Sequence, residues 1–355
     1  MSHFRIRARD DRNRRGALVI SLDFELLWGV RDHCPSDSPY RANLLGSRRA
    51  IPQLLDLFEE FGVAATWATV GALFAESRDE LLRFAPKDHP SYRNEDLHSY
   101  LEEIGHSEED DPLHFAPSLI DQIRRRPLQE IGCHTFSHYY CLEPDAGVDG
   151  FKTDLESAVL LARRRDLRLT SFVFPRNQVS STALSVLPSL GFNAYRGGEQ
   201  GWMYDARPGS RNQLHRRVGR FLDQHRAAPA RLVDWKELAE DPKLTNVRGS
   251  LFLRPCLSTH PRLNALRLRR VASCMERAAA SGKILHLWWH PHNFGLNTEL
   301  NLSGLRYLLT VFTQCRDRFE FQSLSMAAAA SAAQNHAQVP EMVSNAPATS
   351  VHSYT

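Results

Sequence analysis

Short apolar runs rich in β-branched and aromatic residues alternate with longer amphipathic segments, and this alternation constrains the fold more than any other feature of the sequence. Such an order is typical of a mostly parallel sheet whose strands are joined by crossover helices, so the chain is predicted to form a barrel or a doubly wound sheet. The predicted strands are ALVISL (17–22), AATWATV (64–70), EIGC (130–133), TSFVF (170–174), NAYR (193–196), SLFLR (250–254), ILHLWW (284–289) and FEFQSL (319–324).

The segments between these strands repeat apolar residues at helical spacing, and the first of them stops at a glycine, as helices often do. They predict helices at 47–62, 151–167, 180–192, 263–282 and 302–315.

Four further segments depart from this rhythm and set the predicted domain organisation. Residues 1–15 form a charged arm, and the barrel spans 16–325. Residues 86–128 are highly charged with helical spacing, and 199–247 mix Gly, Arg and Pro, so both are predicted insertions. Residues 326–355 lose periodicity and are rich in Ala, Ser, Asn and Pro, which predicts a disordered tail.

Composition excludes several classes of protein. The 44 Lys and Arg against 41 Asp and Glu leave a formal net charge of +3, too small to indicate a nucleic-acid partner. No stretch approaches the roughly 18 apolar residues of a membrane span, and the charged N-terminus lacks the apolar region of a signal peptide. The six cysteines form no CxxC pair, which argues against a disulfide framework or zinc ribbon. We therefore expect a cytoplasmic protein.

Polar residues follow several of the predicted strands directly. In β/α folds the loops after the strands converge at one face, where function usually lies. The residues placed there are Asp23 and Glu25, His134 and His138, Arg176, and His290.

Two of these residues, His134 and His138 in GCHTFSH (132–138), have metal-ligand spacing. Imidazoles four residues apart can converge on one cation, and a carboxylate from a neighbouring strand end would complete a two-histidine, one-carboxylate site. The motif is not HExxH, so a general base must come from elsewhere. Of Asp23 and Glu25, one carboxylate would bind metal while the other takes a proton from water.

The motifs resemble those of the polysaccharide deacetylases of carbohydrate esterase family 4, the NodB-homology proteins. The resemblance covers roughly residues 17–325 in motif order. It implies an α/β fold, an irregular (β/α)7-type barrel with helical surface insertions. It also implies hydrolysis of acetyl groups on sugars with a divalent metal, most commonly Zn²⁺.

Carried over residue by residue, the resemblance implies Asp23 as base and Glu25 as metal ligand in SLDFE, and His134 and His138 as the other ligands in HTFSH. Phe24 stands where most members have the second Asp of an Asp-Asp pair. This variant resembles a branch that includes bacterial cell-surface polysaccharide deacetylases and ureide-cleaving relatives, so the departure concerns the substrate more than the metal.

The third motif, FVFPRNQ, implies that Arg176 orients the base and that a backbone amide near Asn177 contributes to an oxyanion hole. The family's usual proline and aromatic residue after the arginine are absent, since Asn177 and Gln178 replace them. In the last motif, LHLWWHPHN, the resemblance implies His290 as general acid, with His292 as the alternative.

Further residues are candidates for substrate binding. Trp28 and Trp288 lie near predicted strand ends and offer faces for a sugar ring, although buried tryptophans are also common in barrel cores. Arg254 would bind a substrate phosphate or form a salt bridge. The resemblance therefore implies deacetylation of an N-acetylated sugar, and a cytoplasmic location favours a nucleotide-linked or lipid-linked precursor of a surface polysaccharide.

Three alternatives remain open at the level of sequence. One is an amidohydrolase acting on a small amide or ureide, and another is a carbohydrate-binding barrel without activity. The third is a β/α domain whose histidines are structural. Oligomeric state cannot be predicted from the sequence.

Overall fold

The structure is a computed structural model that describes residues 15–35, 37–90, 92–143, 145–198 and 230–337. Each of the eight predicted strands is present, and a further short strand occurs at Thr245–Asn246. In chain order the strands are β1 Ala17–Phe24, β2 Ala65–Thr69, β3 Gln129–Cys133, β4 Ser171–Val173, β5 Ala194–Arg196, β6 Thr245–Asn246, β7 Leu251–Phe252, β8 Ile284–Trp289 and β9 Gln322–Leu324.

The strands form one parallel sheet in the order β6-β5-β4-β3-β2-β1-β8-β7, with β9 beside the start of β1. Strand β1 therefore lies between β2 and β8, and Leu22 is in register with Trp67 on one side and Trp289 on the other. The sheet curls into a half-barrel surrounded by helices, which confirms the predicted α/β barrel class.

The helices follow the strands as crossover connections, and the five predicted helical segments are all present. The α-helices are α1 Arg41–Phe61, α2 Arg78–Phe84, α3 Pro117–Arg125, α4 Val148–Arg164, α5 Ser181–Val186, α6 Trp235–Leu238, α7 Pro261–Ala280, α8 Thr298–Phe319 and α9 Met326–Ala337. No helix in the described part of the chain is both long enough and apolar enough to cross a membrane.

Strand β1 is buried along its whole length and presents different residues to its two faces. Leu18, Ile20, Leu22 and Phe24 belong to the core between sheet and helices. The alternate residues point to the barrel interior, because side chains of a strand alternate between faces. Ala17 and Val19 there join an apolar cluster at the amino-terminal end of the sheet. On the same face, Ser21 and Asp23 lie farther along the strand.

The first part of the predicted tail is ordered, which corrects the expectation of disorder over 326–355. Helix α9 buries Met326, Ala329, Ala330 and Ala333 in the apolar cluster of the barrel interior. Alanine favours helices strongly, and its small side chain lets the helix approach the strands closely. Residues 338–355 lie outside the described residues.

The predicted insertions also differ in part from expectation. Residues 86–128 include α3, a regular crossover helix between β2 and β3, preceded by a largely irregular segment with short 3-10 turns. Tyr92, Leu97 and Phe115 in that segment are buried, so it belongs to the packed body of the barrel. Of the second insertion, 199–229 lie outside the described residues, and 230–247 include α6 and β6.

Two glycines allow α1 to pack directly on the segment after β8. A Cβ atom added to Gly46 would lie 2.0 Å from the carbonyl oxygen of Gly295, and one added to Gly295 would lie 1.9 Å from that of Asn43. This backbone contact fixes the 3-10 turn Pro291–Phe294, which immediately follows His290.

We predict that Gly46→Ala destabilises the protein by about 1–3 kcal/mol, because the cost of overpacking exceeds the roughly 1 kcal/mol that alanine gains in a helix. The measurement is the free energy of unfolding from urea titration. Gly147→Ala is the matched control, since a Cβ atom there meets nothing within 4 Å. It is expected to cost less than about 1 kcal/mol through loss of an N-cap glycine. Equal stability of wild type and Gly46→Ala would contradict the close-contact interpretation.

Candidate metal centre and active site

The carboxyl ends of β1, β3, β5 and β8 bring together residues that are far apart in the sequence. Their side chains converge on one buried polar site, because parallel strands of one sheet end at the same face. The residues assembled there are Asp23, Glu25, His134, His138, Arg196 and His290.

Glu25, His134 and His138 form the predicted three-residue group, and all three are at most 4% exposed. The Nε2 atoms of His134 and His138 lie 3.4 and 3.1 Å from Oε2 of Glu25. The Nδ1 atom of His134 lies 2.8 Å from the carbonyl oxygen of Val173. Since a carbonyl oxygen only accepts, Nδ1 carries the proton and Nε2 presents a lone pair to Glu25.

The protonation states of this group suit a cation. Burial lowers the pKa of His138 to about 4, so its imidazole is neutral at pH 7. Burial opposes ionisation of Glu25, yet the charge of His290 and the neighbouring imidazoles of His134 and His138 hold the pKa of Glu25 well below its usual value.

Neutral imidazole and ionised carboxylate are the forms that bind divalent metals. The buried Nε2 of His134 has no hydrogen-bond partner within the described structure, and a metal ion would satisfy it. The three residues therefore fit a divalent cation.

The loop that carries both histidines depends on Asp154, a residue of α4 that sequence reasoning missed. Its carboxylate accepts hydrogen bonds from the backbone N–H of Phe136 at 2.7 Å and of Ser137 at 3.2 Å, and from the hydroxyl groups of Ser137 and Tyr100. These bonds hold a loop in which His138 adopts a φ of 61°. Burial raises the pKa of Asp154 to about 6 despite the donors around it.

Arg196, the last residue of β5, is the second residue that sequence reasoning missed. Its guanidinium donates to both carboxylate oxygens of Asp23 at 2.6 and 2.7 Å and to the hydroxyl of Ser21 at 2.9 Å. Burial opposes ionisation of Asp23, but the charge and hydrogen bonds of Arg196 hold the pKa of Asp23 below its usual value. The predicted strand NAYR (193–196) ends in this arginine. A polar residue at the end of a predicted strand, the feature that identified Arg176, could therefore have identified Arg196 as well.

Arg176 does not have the position expected of it. Its guanidinium donates to the buried carboxylate of Asp32 at 2.5 Å and lies 4.6 Å from the ring centre of Tyr140. The residue that holds Asp23 is Arg196. The two arginines differ in position because of the backbone that carries them. Arg176 lies in a 3-10 turn after β4 and has a φ of 53°, whereas Arg196 is the last residue of strand β5.

One candidate for the oxyanion donor expected near Asn177, that residue's own backbone N–H, is also engaged. The backbone N–H of Asn177 donates to the carbonyl oxygen of Phe174 at 2.9 Å, within the same 3-10 turn. The side-chain oxygen of Asn177 accepts from Arg196 at 3.2 Å. Asn177 thus borders the site and supports Arg196, and its own amide is not open to a substrate.

Both histidines of the last predicted motif, His290 and His292, lie at the site. The Nε2 atom of His290 lies 3.7 Å from Oδ2 of Asp23 and 3.7 Å from Oε1 of Glu25, and its side chain is 23% exposed. The ring of His292 lies behind it, stacked at 4.8 Å, and is only 4% exposed. Of the two, His290 is therefore the residue that a substrate can reach.

The substrate-binding candidates separate into two groups. Trp288 is partly exposed, its ring lies 4.4 Å from the guanidinium of Arg196, and it neighbours His290. Trp28 is 2% exposed and donates its indole N–H to the carbonyl oxygen of His114, so its expected role at a sugar surface is wrong. Arg254 is exposed, lies over Phe252, and lines a separate cavity between β7 and α7.

Comparisons with known proteins support the fold. No protein-family profile and no curated protein sequence matches this chain. A solved structure described as a polysaccharide deacetylase from Mycobacterium smegmatis aligns with a TM-score of 0.57 at 12% identity, covering 92% of this chain and 94% of its own. One from Pseudomonas aeruginosa PAO1 aligns with a TM-score of 0.53 at 9% identity, covering 91% of each chain.

The structure of PuuE allantoinase is also similar, with a TM-score of 0.53 at 10% identity and coverage of 91% of this chain and 90% of its own. At such identities the similarity shows the fold alone. The chain has the polysaccharide-deacetylase fold, which confirms the fold expected from the motifs.

We predict that Asp154→Ala destabilises the protein by about 3 kcal/mol, because it leaves two buried N–H groups and two hydroxyl groups without their acceptor. Asp154→Asn keeps one acceptor oxygen and is the matched control.

The stability of wild type and that of Asp154→Asn should also depend differently on pH. The folded-state pKa of Asp154 is raised from 3.8 to about 6, so the folded state binds the extra proton. Wild type should therefore lose stability relative to Asp154→Asn as pH rises from about 4 to about 6. Urea titrations at pH 4, 5, 6 and 7 measure this difference, and a difference that does not change with pH would contradict it.

Proposed function

We propose that this protein is a metal-dependent hydrolase that removes the acetyl group from an N-acetylated sugar. The observation that supports it is the clustering of a metal-ligand group with an ionised carboxylate and an accessible imidazole. Glu25, His134 and His138 face one point, and His290 lies 3.7 Å from both Glu25 and Asp23. The polysaccharide-deacetylase fold is consistent with this chemistry, although the fold alone does not specify it.

The resident cation in this proposal is Zn²⁺, held by Glu25, His134 and His138. When bound there, it would lower the pKa of a water molecule and polarise the acetyl carbonyl.

Asp23 is the proposed general base. Its carboxylate is ionised because Arg196 holds it in a two-point ion pair, and Ser21 and Asn177 share the same guanidinium. A carboxylate so stabilised is a weak base, so it takes a proton only from a water that is already acidified. Arg196 therefore sets both the orientation and the charge of Asp23.

His290 is the proposed general acid. Its imidazole is on the accessible side of the site, next to Asp23, where a leaving nitrogen can accept a proton. The amide bond between acetyl carbon and sugar nitrogen breaks, and the products are acetate and an amino sugar. His292 is less suited to this role because His290 covers it.

The substrate in this proposal packs a sugar ring on Trp288, the partly exposed aromatic residue beside His290. We further propose that the protein acts in the cytoplasm on a nucleotide-linked or lipid-linked sugar.

A second candidate activity is hydrolysis of a small amide or ureide, favoured by the structural similarity to PuuE allantoinase. It uses the same base, acid and ligands, so the two candidates differ in substrate. A binding protein without activity is the third possibility, and the presence of base, acid and ligands together argues against it.

Elemental analysis tests the metal site. We expect about one tightly bound equivalent of metal in purified wild type and almost none in a His134→Ala/His138→Ala double variant, because a single carboxylate cannot hold the ion. His260→Ala is the control for loss of an exposed histidine. No metal in wild type, even after dialysis against zinc, would rule out the proposed mechanism.

Acetate release tests the substrate. Wild type supplied with N-acetylated sugar nucleotides should release acetate, and Asp23→Asn should lower kcat by roughly 10²–10⁴-fold while still binding metal. Ammonia or urea released from a ureide, with no acetate from any acetylated sugar, would support the second candidate instead.

The pH profile tests the role of Arg196. Arg196→Met removes the charge that lowers the pKa of Asp23, so the acidic limb of kcat/KM should move to higher pH. Arg176→Met is the matched control, because that guanidinium pairs with Asp32 and should leave the acidic limb in place. A larger shift in Arg176→Met than in Arg196→Met would show that the two roles are reversed.

A further inference from the structure

The carboxylate of Glu25 lies near two pairs of histidines, and its two oxygens have different histidine neighbours. Oε2 faces His134 and His138, at 3.4 and 3.1 Å. The other oxygen, Oε1, lies 3.7 Å from Nε2 of His290. Both imidazoles of the first pair contact the same carboxylate oxygen, so the other oxygen is available to the second pair.

The second pair has the composition of a ligand group of its own. One ligand atom each from Glu25, His290 and His292 lies within 4.8 Å of the others, as is also true of the first group. The two rings stack nearly parallel, with 4.8 Å between centres and 15° between planes.

The turn that carries this pair is held in place. Asn293 accepts a hydrogen bond from the backbone N–H of His290 at 3.2 Å, and the turn packs against α1 at the contact between Gly46 and Gly295. The positions of His290 and His292 therefore depend on the backbone of the barrel, which is the kind of support a ligand group needs.

We propose that Glu25, His290 and His292 form a second divalent-cation site, with Glu25 bridging it to the site at His134 and His138. The inference rests on the proposed function of that first site and adds a regulatory property to it. The ligand is a divalent metal that accepts imidazole and carboxylate, such as zinc, cobalt or manganese.

The second site is the weaker of the two. Two dications that share one carboxylate repel each other at the roughly 3.5–4 Å separation of two-metal centres. The nearby carboxylate of Asp23 is already neutralised by Arg196. The first cation therefore binds at low concentration, and the second binds only when metal is in excess.

Occupation of the second site has a chemical consequence. A lone pair of His290 that binds a cation cannot accept and deliver a proton. Since His290 is the proposed general acid, the second cation would stop turnover while the first remains in place. Activity should therefore rise as the first equivalent binds and fall as the second does.

Metal titration of the metal-free full-length protein tests the inference. Isothermal calorimetry with Zn²⁺ should give two equivalents of different affinity in wild type. His292→Gln should keep the tightly bound equivalent. Loss of a residue that only supports a metal ligand lowers metal affinity roughly 10–100-fold, so loss of a ligand should lower the affinity for the weaker equivalent by more than that. His260→Gln, the loss of an exposed histidine, should behave as wild type.

A second measurement does not depend on any variant folding correctly. Wild type loaded with two equivalents of Mn²⁺ should show magnetic coupling between the ions in its electron paramagnetic resonance spectrum, whereas one equivalent should not.

In activity assays, excess zinc should lower turnover by at least about 10²-fold in wild type, the scale of a lost general acid. That inhibition should be absent in His292→Gln at the same zinc concentration.

The outcomes separate the two proposals. One equivalent in wild type with no coupled manganese pair would overturn the second site and leave the proposed hydrolase intact. Retention of both equivalents by folded His292→Gln would also overturn it. No binding of any metal would overturn both proposals.

Discussion

The burial of β1 on both faces is the constraint on which the rest of the structure depends. Its even-numbered residues, such as Leu22, fill the core under the helices, so its odd-numbered residues must face the barrel interior. Toward the amino-terminal end that interior is apolar and closed by α9. Toward the carboxyl end it receives Ser21 and Asp23. The same alternation that builds the core thus places a carboxylate where the strand ends converge.

A buried carboxylate needs compensation, and this requirement organises the site. Arg196 neutralises Asp23 from β5, so two strands that are not neighbours in the sheet are joined by an ion pair. Among the described residues no arginine forms an ion pair with Glu25, and three imidazoles lie within 3.7 Å of its carboxylate. That difference separates the two acids: one is held as a charged base, and the other remains available to a cation.

Much of the candidate site was predictable because its residues directly follow recognisable strands. Glu25, His134, His138 and His290 all met this condition, and the structure brings them together. Arg196 met it as well but was overlooked in favour of an arginine within a matching motif. Asp154 could not be found in this way, because it lies in the middle of α4 and acts on the histidine loop through backbone N–H groups.

The sequence by itself determined the alternation of strands and helices, and with it the parallel barrel and the face at which function lies. It did so because periodicity and strand ends are local properties of the chain. Only the tertiary structure decided which arginine holds Asp23, that Trp28 is buried and that residues 326–337 close the barrel. These depend on distances between segments far apart in the sequence, and such distances leave no local pattern in it.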